Sequence, residues 1–286
     1  MADRHEPSGL PLRAADGHRW NLYARVPAEP TASLLWLPAL GVAARHYLPF
    51  ADALAAHGIA VYVHEWRGNG SSSVRASRDS DWGYRELLLD DLPISDAAVA
   101  AALPQLPRII GGHSLGGQLA CMRLGLAASR NEPALPTSLW LVASGAPYWR
   151  TFPMPQRIAM PPIYRFLPWL AHVNGTLPGR RIGFGGNEAR SLIRDWGRTA
   201  LSGRYAAAGI DADVEAGMAQ VAVDARAVSM DGDWLVPPGS VRYLLSKLPR
   251  AHSESLLLGT RDLGTRADHF SWMKQPEAVV KALLRR

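Results

Sequence analysis

A chain of 286 residues, 48% hydrophobic and 20% charged, is long enough for one large α/β core or two smaller domains. Its composition is that of an ordinary folded protein, which excludes an extended disordered chain or a charged interaction tail. The formal net charge of +6 raises nucleic acid as a partner, but no zinc-ligand spacing, helix-turn-helix pattern or aromatic RNA-binding signature accompanies it. A single cysteine, Cys121, cannot form an intramolecular disulfide and reads as a small buried apolar side chain on the inner face of a helix.

In chain order, the N-terminal MADRHEPSGL lacks the basic stretch and apolar run of an export signal, and no apolar stretch approaches the roughly 18 residues of a membrane span. The expectation is a cytoplasmic protein without a membrane span. Short apolar, β-branched runs follow at 19–26, 34–38, 59–65, 108–111, 139–143, 225–230 and 255–259, and read as strands. Helical stretches separate them at 47–57, 84–103, 115–128, 238–248 and 276–285. Alternation of this kind predicts an α/β fold with a mostly parallel twisted sheet and helices on both faces.

The alternation breaks once, over 146–222, where proline and aromatic residues crowd (APYWRTFPMP, MPPIYRFLPWL) before a helical segment near 188–203. That length exceeds a plain connection and predicts an inserted helical cap, so that 1–145 and 223–286 form the core and 146–222 the insertion. The cap segment between Arg150 and Arg204 carries nine arginines against Glu188 and Asp195. Its charge suggests an anionic substrate, with a solvated arginine face as the plainer alternative. Trp149, Phe152, Tyr164, Phe166 and Trp169 are expected to pack the cap on the core, to line an acyl pocket, or both.

In an open parallel sheet, ligands bind beyond the carboxyl ends of the strands. The first such end to carry chemistry is GGHSLGGQ. Gly112, Ser114 and Gly116 form G-x-S-x-G between a strand and a helix, where a serine nucleophile sits on a tight turn that side chains on its neighbours would obstruct. The motif is short enough to occur by chance, so its context carries the weight. A serine hydroxyl needs a histidine to take its proton and a carboxylate to orient that histidine. Of the histidines after Ser114, His172 falls in the cap and His252 at the amino end of a strand. His269 follows the carboxyl end of the last strand and is the expected base. Asp231 and Asp233, in VSMDGDWLVPP, both follow a strand end and are both positioned to supply the acid.

On these residues the chain resembles the α/β-hydrolases with a serine nucleophile and an inserted lid, the esterase and lipase branch above all. The likeness runs over nearly the whole length. HEWRGNGSSS is similar to the Asp-x-Arg-Gly-x-Gly-x-Ser loop of that superfamily, and DWLVP to its acid loop Asp-x-x-Val-Pro, which selects Asp233 over Asp231. The order Ser114, Asp233, His269 is the one the superfamily uses. Arg67 and Gly68 are expected to hold a tight turn.

One departure stands out. LPALGVAARHY lacks the His-Gly that many relatives carry after the third strand, so the resemblance places the backbone amide of Leu40 in the oxyanion hole by position only, beside that of Leu115. It implies a serine hydrolase acting on a small-molecule ester or thioester, without metal or cofactor. An acyltransferase with the same triad and a non-catalytic ligand-binding protein are the alternatives.

Overall fold

The computed structural model describes residues 9–133 and 135–285; residues 1–8, part of the segment read for an export signal, lie outside the described residues. The first half of the chain contributes β1 (Gly9–Arg13), β2 (Arg19–Arg25), β3 (Ala32–Leu37), α1 (Leu48–Ala55), β4 (Ile59–Val63), α2 (Leu92–Ala102), β5 (Arg108–His113), α3 (Leu115–Ser129) and β6 (Ser138–Val142). The aromatic and proline-rich stretch then forms α4 (Gln156–Asn174), β7 (Thr176–Pro178), α5 (Gly179–Ile182), β8 (Asn187–Ala189), α6 (Arg190–Ser202) and α7 (Val214–Met218). The core resumes with β9 (Asp224–Met230), α8 (Pro238–Leu245), β10 (His252–Leu258), α9 (Thr260–Leu263) and α10 (Glu277–Leu284).

Eight strands form one sheet in the order β1-β2-β4-β3-β5-β6-β9-β10. Within this sheet β1–β2 and β2–β4 pair antiparallel, while β4, β3, β5, β6, β9 and β10 run parallel; β7 and β8 form a separate antiparallel pair. The mostly parallel sheet expected from the sequence is therefore the fold. Its central strands β3 and β4 are buried on both faces, as the continuous apolar runs ASLLWL and IAVYV require. Leu34, Trp36, Val61 and Val63 face one cluster with α1 and α10, and Leu35, Leu37, Ile110 and Leu141 face the other with α3, α4 and α6.

Strand order reverses between β3 and β5: β4 lies on one side of β3 and β5 on the other. This switch point opens a crevice at the carboxyl ends of the two strands. The residues that follow them are Pro38–Val42 and Ser114, the two segments singled out in the sequence.

Proline did not break α4, which continues through Pro161, Pro162 and Pro168. Pro168 cannot donate to the carbonyl of Tyr164, and α6 fills that place. A Cβ on Gly197 would lie 2.8 Å from Pro168 Cγ and 3.0 Å from the Tyr164 oxygen, so glycine lets the two helices close. At the other end of the insertion, α7 lies against α3: a Cβ on Gly217 would come within 2.2 Å of the Gly125 oxygen. Cys121 is buried on α3, and burial pushes its thiol up to about 12. Among the described residues, no helix is long and apolar enough to cross a membrane.

Candidate active site

Ser114 follows β5 and opens α3 with φ 54° and ψ −120°, a conformation that strains any residue with a Cβ. The neighbouring glycines explain how the chain tolerates it. A Cβ on Gly112 would stand 2.4 Å from the Gly116 carbonyl carbon, one on Gly116 2.0 Å from the Leu37 oxygen, and one on Gly117 2.4 Å from Ser144 Oγ. Strand, helix and the end of β3 therefore meet with no room for side chains. The Ser114 N–H donates to the Val142 carbonyl at 3.2 Å, and Ser144 Oγ donates to the Ser114 carbonyl at 2.7 Å. The turn is pinned on both sides.

His269 and Asp233 come together from separate strand ends. His269 Nδ1 lies 2.7 Å from Asp233 Oδ2, while Asp233 Oδ1 accepts the N–H groups of Leu235 and Val236 at 3.0 and 3.3 Å. Both side chains are buried, and a bond from the Gly232 N–H to the Ala267 carbonyl ties their two loops together. Asp231 instead is exposed, its N–H spent on the Leu258 carbonyl. His252 opens β10 at its amino end and His172 is exposed on α4, so neither joins the cluster.

His113, directly before Ser114, was missed as part of the site. Its ring is fully buried, 4.7 Å from that of His269, and its Nδ1 is 2.8 Å from the Tyr47 hydroxyl. Burial, with His269 beside it, holds His113 well below the usual imidazole range, so it is a neutral wall behind His269. A histidine inside a strand has no sequence signal that would separate this role from an ordinary buried ring. Trp272 closes the wall, donating from Nε1 to the His269 carbonyl at 3.1 Å.

The loop after β3 is held from below. Trp66 Nε1 donates to the Pro38 carbonyl at 2.8 Å, and the Ala39 N–H donates to the Tyr47 hydroxyl at 2.9 Å. Tyr47 thus consumes one of the amides in the loop. Among the described residues, none accepts a hydrogen bond from the N–H of Leu40 or of Leu115. Both residues border one narrow cavity of about 10 Å³, room for no more than a single water, walled by Trp66, Trp82, Leu119 and Leu192.

Glu188, on β8, also reaches this pocket. Its Oε1 accepts the Gly186 N–H at 2.6 Å, and burial pushes its carboxyl from 4.5 up to about 7 against that hydrogen bond and the distant Arg180. Gly41 meets the same place from the core. It has φ 72°, and a Cβ there would lie 2.1 Å from the Gly186 nitrogen, so the loop after β3 and the 185–186 turn are in backbone contact.

The aromatic residues of the insertion divide. Phe152 and Tyr164 are buried and Trp149 is half-buried, as packing residues should be, but Phe166 and Trp169 are 51% and 58% exposed and neither packs on the core nor lines the pocket. They lie on the outer face of α4, where apolar content alone gave no means of telling the two faces apart. None of the nine arginines between 150 and 204 borders the pocket; its one arginine is Arg67. That guanidinium is turned away, bonded to Asp91 at 2.7 and 2.8 Å and to Asp16 at 2.6 Å, which fits the turn-holding role expected of it.

Residues 28–195 match the family model described as serine aminopeptidase, S33. The chain belongs to this hydrolase family. Its S33 α/β-hydrolase fold is shared with solved structures of low identity. These include an N-formylmaleamic acid deformylase from Pseudomonas putida, 19% identical with a TM-score of 0.58 over 96% of this chain and 100% of that one. A carboxylesterase of the thaumarchaeon Nitrososphaera gargenis is 13% identical, with a TM-score of 0.60 over 96% of each chain. A lipase in its open form is 16% identical, with a TM-score of 0.62 over 96% of this chain and 95% of that one. At such identities the likeness speaks for the fold. No curated protein sequence matches the chain.

Proposed function

We propose that the chain is a serine hydrolase that cleaves a carboxylic ester or thioester through an acyl-enzyme, with Ser114 as nucleophile, His269 as general base and Asp233 as the acid. The observation that carries this reading is the 2.7 Å contact between His269 Nδ1 and Asp233 Oδ2, on the same edge of the parallel sheet as a serine on a strained turn at the switch point. Asp233 leaves Nε2 of His269 as the nitrogen that takes the Ser114 proton, and it stabilises the imidazolium as Ser114 Oγ attacks the carbonyl carbon.

The amides of Leu115 and Leu40 receive the developing oxyanion. Each donor of this kind is typically worth about 3 kcal/mol in the transition state. Collapse of the tetrahedral adduct expels the alcohol or thiol, which takes the proton from His269. Water, deprotonated by the same histidine, then releases the acid and restores Ser114.

Labelling with a fluorophosphonate probe tests the assignment. The native chain is expected to label, and Ser114→Ala and His269→Ala are not; an unlabelled native chain, folded by circular dichroism, sinks the serine-hydrolase reading. A matched pair of substrates, a nitrophenyl ester and an aminoacyl anilide, tests the bond. Faster turnover of the anilide would replace ester cleavage by amide cleavage while leaving the nucleophile in place.

A further inference from the structure

The helix α4 is apolar on two opposite faces. Met160, Tyr164, Leu167 and Ala171 are buried against the rest of the insertion. On the far side Ile158, Phe166, Trp169 and Val173 are 65%, 51%, 58% and 49% exposed, at steps of eight, three and four residues that keep them on one stripe. Phe166 and Trp169 have their rings 5.6 Å apart, so the stripe is continuous. A surface helix normally carries charge on such a face.

The exposed charge that the 150–204 segment itself carries has one sign. Arg157 and Arg165 are exposed next to Ile158 and Phe166 in sequence, and an open groove between α4 and α6 is lined by Arg165, Arg194 and Arg198. The two acids of the 150–204 segment are both turned inward: Glu188 and Asp195 are 3% and 1% exposed. Asp195 accepts the Tyr84 N–H at 3.0 Å and pairs with Arg198, and Arg190 pairs with Asp81. Among the described residues, Arg157, Arg165 and Arg194 form no ion pair, although the Arg157 guanidinium lies over the Trp149 ring at 5.7 Å and Arg194 adds to the positive field at Asp195.

We propose that this outer face of α4 and α6 docks on an anionic lipid bilayer. Ile158, Phe166, Trp169 and Val173 enter the boundary between headgroups and acyl chains, and Arg157, Arg165 and Arg194 meet lipid phosphates around them. An apolar stripe rimmed by basic residues is the physical requirement for a helix that lies in the interface, with aromatic rings at headgroup level. A second copy of the chain is the poorer occupant, because joining two such faces would press like-charged arginine rims together.

The full chain is tested by flotation with vesicles of phosphatidylcholine alone and of phosphatidylcholine mixed with phosphatidylglycerol. Binding to the anionic vesicles is expected to be at least about tenfold the stronger, and to weaken in high salt. Phe166→Ser with Trp169→Ser should lower binding to them about tenfold or more at any salt, by removing buried apolar area. Arg157→Glu with Arg165→Glu and Arg194→Glu should abolish the preference for anionic vesicles. All five side chains are exposed, and retained circular dichroism checks that the variants fold.

Equal binding to both vesicle types overturns the proposal, as do variants that bind like the native chain. So does a native dimer in gel filtration that Phe166→Ser with Trp169→Ser dissociates, which would give the face to a second copy. The readout needs no turnover, so it stands or falls apart from the assignment of Ser114.

Discussion

Among the described residues two aspartate–histidine pairs are buried, Asp233–His269 on the edge of the sheet that carries Ser114 and Asp91–His18 bonded directly to Ser72, and they differ in what surrounds the serine. In the second, Asp91 Oδ1 is 3.1 Å from His18 Nδ1 and His18 Nε2 is 3.0 Å from Ser72 Oγ, with all three residues buried. Ser72 Oγ also receives the N–H groups of Gly68 and Val74 at 3.2 and 3.3 Å and lies 3.2 Å from the Val74 carbonyl. Arg67 occupies both oxygens of Asp91. Every partner is spent, which makes this network a fastener for the RGNGSSS loop. At Ser114 the backbone is strained, and the amides of Leu40 and Leu115 are left without an acceptor. Residue types alone do not separate the two serines; the unpaired amides of Leu40 and Leu115 do.

The largest expected difference is between two alanines. Ser114→Ala should lower kcat on a nitrophenyl ester by at least about 10³-fold, since a nucleophile and its base act as a unit. Its melting temperature should change little. Ser72→Ala should do the reverse, keeping kcat within a few fold while losing about 1–3 kcal/mol of stability from the buried donors it orphans. Matching kinetic losses in the two variants would erase the distinction.

The two aspartates give the next contrast. Asp233→Asn is expected to lower kcat by about 10³–10⁴-fold by disfavouring the tautomer of His269 that accepts the Ser114 proton, and Asp231→Asn to leave it near native. Asp91→Asn removes the charge that compensates buried Arg67 and should destabilise the fold by about 3–5 kcal/mol in denaturant titration. A kinetic loss at Asp231 equal to that at Asp233 would break the assignment of the acid.

Much of this contrast was legible in the sequence, and the illegible part has a common cause. The strands are apolar runs bounded by turn residues, and Ser114, Asp233 and His269 each follow a strand end, so their edge of the sheet could be derived. Asp233 was separable from Asp231 by the DWLVP resemblance, and the structure places Asp233, not Asp231, beside His269. The network of His18, Ser72 and Asp91 could not be read, because its members lie up to 73 residues apart and follow no motif. Glu188 and His113 were equally silent: burial shifts them, and burial is a property of the packed whole. Phe166 and Trp169 were misplaced because the period of a helix shows which residues share a face, and not which face meets the core.

Two buried carboxyls sharpen the comparison through pH. Burial alone would raise Asp91, but hydrogen bonds from His18 and Arg67 outweigh it and hold the group below the usual carboxylate range. Its stabilisation is present above about pH 4, the unfolded value, and is lost as pH falls through the lower folded value. Glu188 has the opposite sign. Raised from 4.5 to about 7, it binds more protons folded than unfolded, so stability falls as pH rises from 4.5 to 7. The shift corresponds to about 3 kcal/mol lost across that window. Glu188→Gln keeps an acceptor for the Gly186 N–H and removes the titration, so its unfolding free energy should change less than that of the native chain between pH 5 and pH 8. An unchanged slope would place the loss elsewhere.

The smallest effect tests the open donors themselves. If Ser114 differs from Ser72 because Leu40 N–H is held ready, then moving that amide should cost rate with Ser114, His269 and Asp233 all intact. Gly41 is the residue that fixes it: with φ 72° and the 185–186 turn in backbone contact, it has no space for a side chain. Gly41→Ala must push the loop after β3 away from the insertion or strain a left-handed residue, at about 1–3 kcal/mol. Because Trp66 and Tyr47 anchor Pro38 and Ala39 from below, the displacement falls on Leu40. A fall in kcat of about 10- to 100-fold is expected, with fluorophosphonate labelling slowed in proportion and KM little changed, the signature of an interaction made in the transition state. A rise in KM at constant kcat would mean instead that the contact between Gly41 and Gly186 shapes the pocket and that the oxyanion is held by other donors.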